Sequence, residues 1–266
     1  MANAESFLSL EFALQQRIER RWLREVAHPA IADMLDAVGN DNFAEAARIA
    51  ESLHFDTVRE QEEEVRQFAI GAFMLGQNFM AGSVGAGDLA RGGEEPPQIE
   101  GGVRQLVDGL AIAGAESIRQ AALSVLAEAE QSVAKAEVRK AVIPGLASKL
   151  NSAVASGGRA TVGFGANLTT GRLASYGAVT QAESMGTRTM QVSEILDDAT
   201  CPFCRGIHGK VFEVGPESQR LGTILTTSDP MELKTSFPFP KQSKGGIQFA
   251  SEQTDSELQA NFGGSP

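Results

Sequence analysis

The texture of this chain changes once, near residue 186, and that change constrains the fold more than any single motif. Before it the sequence is rich in alanine and its apolar residues recur at helical spacing. After it, short runs of β-branched and aromatic residues alternate with turn signals. Two kinds of local order in one chain of 266 residues predict an α+β protein: a largely helical N-terminal half followed by a smaller α+β C-terminal module with a polar extended tail.

Leu10, Leu14, Ile18 and Trp22 lie four apart and so share one face of a helix. His28-Pro29 marks the expected end of that helix, because a residue before proline avoids the helical region. Ile31–Val38 and Phe43–Leu53 read as two short helices around the turn Gly39-Asn40-Asp41-Asn42, with Asp41 or Asn42 as N-cap. Asp56 or Thr57 is placed to cap a longer helix reaching about Met80, whose early turns carry Glu60, Glu62, Glu63 and Glu64. Ala81–Gly102, with its glycines and Pro96-Pro97, reads as a loop. Helix resumes from Val103 to about Lys140, Pro144-Gly145 and Ser156-Gly157-Gly158 punctuate the chain, and Leu168–Met185 reads as a last helix. Thr189–Val192, Lys210–Val214 and Thr223–Thr227 read as strands, and the polar stretch from Lys241 as an extended arm.

Composition narrows function by exclusion. The formal net charge is -11 and the sequence pI about 4.9, so the chain exerts no global pull on nucleic acid. DNA contact would need a local basic patch, for which Arg17, Arg20, Arg21 and Arg24, or Lys234, Lys241 and Lys244, are the candidates. The commoner reading of the arginines is a solvated helix face. Aromatic residues make up 6% of the chain, which argues against a large aromatic-lined pocket. Val103–Ala129 is long and apolar, but Arg104, Asp108, Glu116, Arg119 and Glu128 interrupt it, and no membrane span is expected. The first residues are not basic and no long apolar core follows them, so the expected place of action is the cytoplasm or a particle assembled there.

Both cysteines of the chain sit in Cys201-Pro202-Phe203-Cys204, followed by Arg205-Gly206-Ile207-His208-Gly209-Lys210-Val211-Phe212. Cys201, Cys204 and His208 have the spacing of three ligands of a structural zinc, with Asp197 or Asp198 as a fourth. The competing reading is a pair of small thiols in a turn packed by Phe203 and Phe212. The missing third cysteine favours this second reading, and no tightly bound zinc is expected. A redox role is weaker, because Gly206 and Gly209 argue against the helix that follows such a motif. Gly158 and Gly163 match half of a phosphate-binding loop, but Phe164-Gly165 stands where the lysine and hydroxyl are needed, leaving a glycine-rich turn before a helix. Ser184 and His208 lack the elbow that would make them nucleophile and base.

The phrase from Leu196-Asp197-Asp198 through Cys201 and Cys204 to Gly209–Phe212 resembles the signature of the phage Mu F-like head morphogenesis proteins, minor capsid proteins of tailed bacteriophages. The likeness runs from about Gly171 to Val214: a small-residue helix, an Arg-containing strand at Arg188–Val192, an acidic turn, the C-x-x-C and a Gly-Lys-Val-Phe strand. Many members continue to a proline-rich box with a His and a Cys-Arg. Here Ser236-Phe237-Pro238-Phe239-Pro240-Lys241 keeps the prolines without those ligands. The implied organisation is helical over 1–82, a Gly/Pro-rich loop over 83–102, helical over 103–186, the α+β module with its C-x-x-C knuckle over 187–240, and a tail over 241–266.

The resemblance implies a protein without enzymatic activity or cofactor. It would associate with portal or major capsid protein, with packaged DNA as a further contact and no membrane, acting in the virion neck region after assembly in the host cytoplasm. Trp22, Phe73 and Phe79 are candidate contact residues, with ordinary core packing the commoner reading of each. Two other functions stand beside it. An ADP-ribosyltransferase-like or toxin-related enzyme would draw on Arg188 and on the pairs Glu60/Glu62 or Glu128/Glu130. A DNA-contacting ejection protein would have to overcome the net charge.

Overall fold

Alanine-rich sequence with an apolar stripe folds as helix through nearly all of the first 184 residues that the structure describes. That structure is a computed structural model, and it describes residues 4–83, 95–135, 142–191, 209, 211–227, 241–243 and 246–248. In chain order the helices are α1 (Ala4–Trp22), α2 (His28–Gly39), α3 (Phe43–Glu51), α4 (Asp56–Arg59), α5 (Glu62–Ser83), α6 (Pro97–Gly109), α7 (Ala115–Lys135), α8 (Val142–Leu150) and α9 (Gly157–Ser184). Strands β1 (Thr189–Gln191) and β2 (Val211–Glu213), helix α10 (Val214–Thr226), and strands β3 (Lys241–Ser243) and β4 (Gly246–Gln248) complete the described elements. The largely helical N-terminal half is as expected.

Three of the junctions are not loops. Single π-helical turns at Leu23–Ala27, Leu110–Gly114 and Asn151–Ser156 join α1 to α2, α6 to α7 and α8 to α9, making three long rods. This corrects the expected break at Pro29. The His28 N–H bonds to the Leu23 carbonyl in the wider π spacing, and Pro29 then falls in the first turn of α2, where its missing N–H costs little. Ser156-Gly157-Gly158 and the Gly158–Gly163 stretch are likewise helix rather than turn. Pro144-Gly145 lies within α8.

The chain divides into two compact units. The first comprises Ala4–Ala69 and Val103–Gly171. Its core holds Leu14, Ile18 and Trp22, three of the four residues of the expected stripe, Leu10 being half-buried, with Trp22 stacked on Phe55 at a centroid distance of 4.6 Å and an interplanar angle of 18°. The irregular Leu53–Phe55 stretch is tied down through its carbonyls. Trp22 Nε1–H donates to the His54 oxygen at 2.8 Å, and Arg119 Nε–H donates to the Leu53 oxygen at 2.7 Å. Gly158 explains itself here: a Cβ at that position would overlap the six-membered ring of Trp22. Asn42 is the N-cap of α3, its Oδ1 accepting from the Glu45 N–H at 3.1 Å, while Asp41 takes the left-handed conformation at φ 62°. The expected long helix from Asp56 is two pieces, α4 and α5.

The second unit comprises Met1–Asn3, Ile70–Gly102 and Arg172–Pro266. Here backbones meet directly. A Cβ on Gly76 would overlap the Ala174 carbonyl, and one on Gly177 would overlap the Phe73 carbonyl, so α5 and α9 cross with no side chain between them. Phe73 and Tyr176 pack beside the crossing at 5.8 Å. Strands β1 and β2 pair antiparallel, with Met190 opposite Phe212, as the flanks of the C-x-x-C run were expected to be strands. Thr223–Thr226 is corrected from strand to helix, with Thr227 as its extended C-cap. Val214, Ser218, Leu221 and Leu225 form a buried stripe at helical spacing, and the Thr226 hydroxyl bonds back to the Gly222 carbonyl at 3.0 Å. In the expected tail, β3 and β4 pair antiparallel, Lys241 opposite Gln248. The expected Ala81–Gly102 loop is shortened by Ala81–Ser83 in α5 and Pro97–Gly102 in α6, and residues 84–94 lie outside the described set.

By length and composition alone, Pro97–Ser132 passes as a helix able to cross a membrane, at a mean hydropathy of 1.2. Its buried residues, among them Val103, Val107, Leu110, Ile118, Ala122 and Leu126, fall on one face, while Ile112 is exposed on the other. That is the stripe of a helix packed on a protein core rather than an apolar surface all round.

Candidate functional site

Among the described residues the arginines of α1 and of the π turn that follows it form the most developed polar feature. Arg17, Arg20, Arg21 and Arg24 stand at helical spacing of three and four, so the same turn geometry that buries Leu14, Ile18 and Trp22 sends them to one flank. There they line an open groove of about 620 Å³ with Ala13, Gln16, Glu25, Gln61, Glu64 and Phe68, the last three brought from α5 and the residue before it.

Much of the positive charge is answered within the groove. Arg17 Nη2–H donates to Glu64 Oε1 at 2.8 Å, and its Nε also reaches Glu64. Arg21 bonds to Glu25 at 3.0 Å and to Glu60. Arg24 bonds to Glu25 at 2.7 Å, and Arg20 donates to the Gln16 side chain. Hydrogen bonding from Arg17 holds the Glu64 carboxyl below the usual carboxylate range, and bonds from Arg24 and then Arg21 do the same for Glu25. These groups are solvated, so the pairs orient the side chains and contribute little to stability. Gln61 differs: it is 3% exposed, its Nε2–H points to the Arg17 carbonyl at 3.4 Å, and its Oε1 has no hydrogen-bond partner.

Cys201, Cys204 and His208, together with Asp197 and Asp198, lie outside the described residues. Their flanks are visible. The β1–β2 pairing holds the two ends of the run together, the Gln191 side chain donates to the Gly209 carbonyl at 3.0 Å, and Gly209 takes φ 78°. Among the described residues no group of three or more His, Cys, Asp or Glu side chains could hold a metal ion. The Ser184 hydroxyl is bonded to the Gln181 carbonyl of its own helix at 2.7 Å. Of the acidic pairs, Glu60 binds Arg21 and Glu128 binds Lys149 at 2.9 Å. The lysines at 234, 241 and 244 have no described side chains.

Trp22 is fully buried and Phe73 is 8% exposed, so both are core residues; Phe79 is half exposed. The apolar residues that do face outward include Leu8, Phe12, Ile112 and Phe164. Leu8 and Phe12 sit two positions out of phase with the Leu10–Trp22 stripe, a signal present in the sequence. Gln61, Glu64 and Phe68 carried no such signal, since only the packing of α5 beside α1 places them in the groove. Comparison with protein-family models, with curated proteins and with solved structures finds no match to this chain.

Proposed function

We propose that this chain is a minor capsid, head morphogenesis protein of a tailed bacteriophage, acting in assembly rather than catalysis. The observation that carries the reading is the phrase from Asp197 to Phe212, which resembles the Mu F-like signature in the order of its acidic turn, C-x-x-C and Gly-Lys-Val-Phe strand. The pairing of β1 with β2 supports it, because both strands that flank the acidic turn and C-x-x-C in the family's order are present. On this reading the C-terminal region is the family's α+β module. The helical half supplies contacts to portal or capsid subunits, and the protein resides in the virion neck region.

An acidic chain that leaves Phe12, Phe79 and Phe164 exposed suits a role in protein contact. The direct test is proteomics of procapsids and purified virions from the parent phage, with co-purification of the portal ring as a second readout. Presence in either particle is the expected result; absence from both refutes the assignment. Zinc is a separate matter. Elemental analysis is expected to find none bound tightly, and one zinc per chain lost on Cys201→Ser would make Cys201, Cys204 and His208 its ligands.

A further inference from the structure

We propose that the arginine-lined groove between α1 and the start of α5 is a binding site for an acidic, partly apolar peptide segment of a partner protein. The groove holds four guanidinium groups against Glu25, Glu60 and Glu64, a small positive surplus on a chain whose net charge is -11. Arg17 and Arg21 are committed to those carboxylates. Arg20 holds only the neutral Gln16 among the interactions seen, and Arg24 shares Glu25 with Arg21 and is 74% exposed along its side chain. A carboxylate therefore meets Arg20 and Arg24 as its open forks.

One further feature chooses a peptide over a nucleic acid. Phe68 and Ala13 add an apolar strip for a side chain such as leucine. A phosphate polyanion, by contrast, would set its closely repeated charges beside Glu25 and Glu64 and leave that apolar strip unused. The site stands on the groove alone and does not require the capsid reading.

The test uses the full chain and three labelled probes followed by fluorescence anisotropy at physiological ionic strength. These are an acetylated peptide Ser-Glu-Ala-Leu-Asp-Ser-amide, its Gln/Asn counterpart and a short DNA duplex. The acidic peptide is expected to saturate, the neutral counterpart to bind about tenfold more weakly or worse, and the duplex not to saturate. The double variant Arg20→Glu/Arg24→Glu is expected to lose the acidic peptide and gain a Lys-substituted one, with circular dichroism confirming the native helix content. Acidic-peptide binding that survives the double variant, no saturable binding at all, or tighter binding of the duplex would each overturn the proposal.

Discussion

The two units solve one problem in opposite ways. Both are built from helices poor in large side chains, and both must fill the space between them. In the first unit a large ring does the filling: Trp22 stacks on Phe55, and a glycine on α9 makes room for it. In the second the helices approach until backbones touch, with Gly76 and Gly177 each set against a carbonyl of the opposite helix. Glycine thus serves two purposes in the same chain. At Gly158 it yields volume to a side chain, and at the α5–α9 crossing it removes the spacer altogether. A side chain can shift when crowded, whereas a backbone carbonyl inside a helix is held by its neighbours.

The largest expected effect tests the first unit. Trp22→Ala removes a fully buried ring, its stacking on Phe55 and its hydrogen bond to His54, and is expected to cost about 4 kcal/mol in chemical denaturation. A cost near that of a surface substitution would mean the ring does not organise this core. Next, Gly76→Ala is expected to cost about 3 kcal/mol and Gly158→Ala about 2 kcal/mol, because the first meets backbone and the second meets a ring able to tilt. The reverse order would break the distinction between the two packings.

Gly109 supplies the control. It has helical dihedrals and open space where a Cβ would lie, so Gly109→Ala is expected to stabilise by about 0.5–1 kcal/mol in the same measurement. The smallest effect concerns the groove. Glu64 and Glu25 have carboxyls held low in the folded state, so their contribution is present above the unfolded carboxylate pKa and lost as pH falls through the lower folded value. Since these pairs are solvated, Glu64→Gln is expected to leave the melting temperature at pH 7 unchanged within error, while NMR titration of the Glu64 carboxyl shows its midpoint below the usual range.

How much of this was legible beforehand differs by residue. The Leu14-Ile18-Trp22 stripe and the Asn42 cap were read from local spacing, and the structure places them as read. The strands flanking the C-x-x-C run were also legible, because β-branched and aromatic runs between turn residues are local signals. Thr223–Thr226 was misread for the same local reason: its β-branched residues favour strand, and the buried stripe from Val214 to Leu225 overrides them. The groove was half legible. Four arginines on one helix flank follow from spacing, but Gln61, Glu64 and Phe68 join them only through packing.

Sequence alone settled what depends on neighbours within a turn or two: helix periodicity, capping, the acidic balance and the change of texture near residue 186. Tertiary structure decided what depends on residues far apart. Gly158 reads locally as a helix breaker, and only the ring of Trp22 lying against it reveals a helix interior that must lack a side chain. Pro29 reads as a terminus, and the π turn before it carries the rod past. Glycine and proline have strong local preferences worth about 1–3 kcal/mol, and burial of a ring or close contact of two helices is large enough to outweigh them.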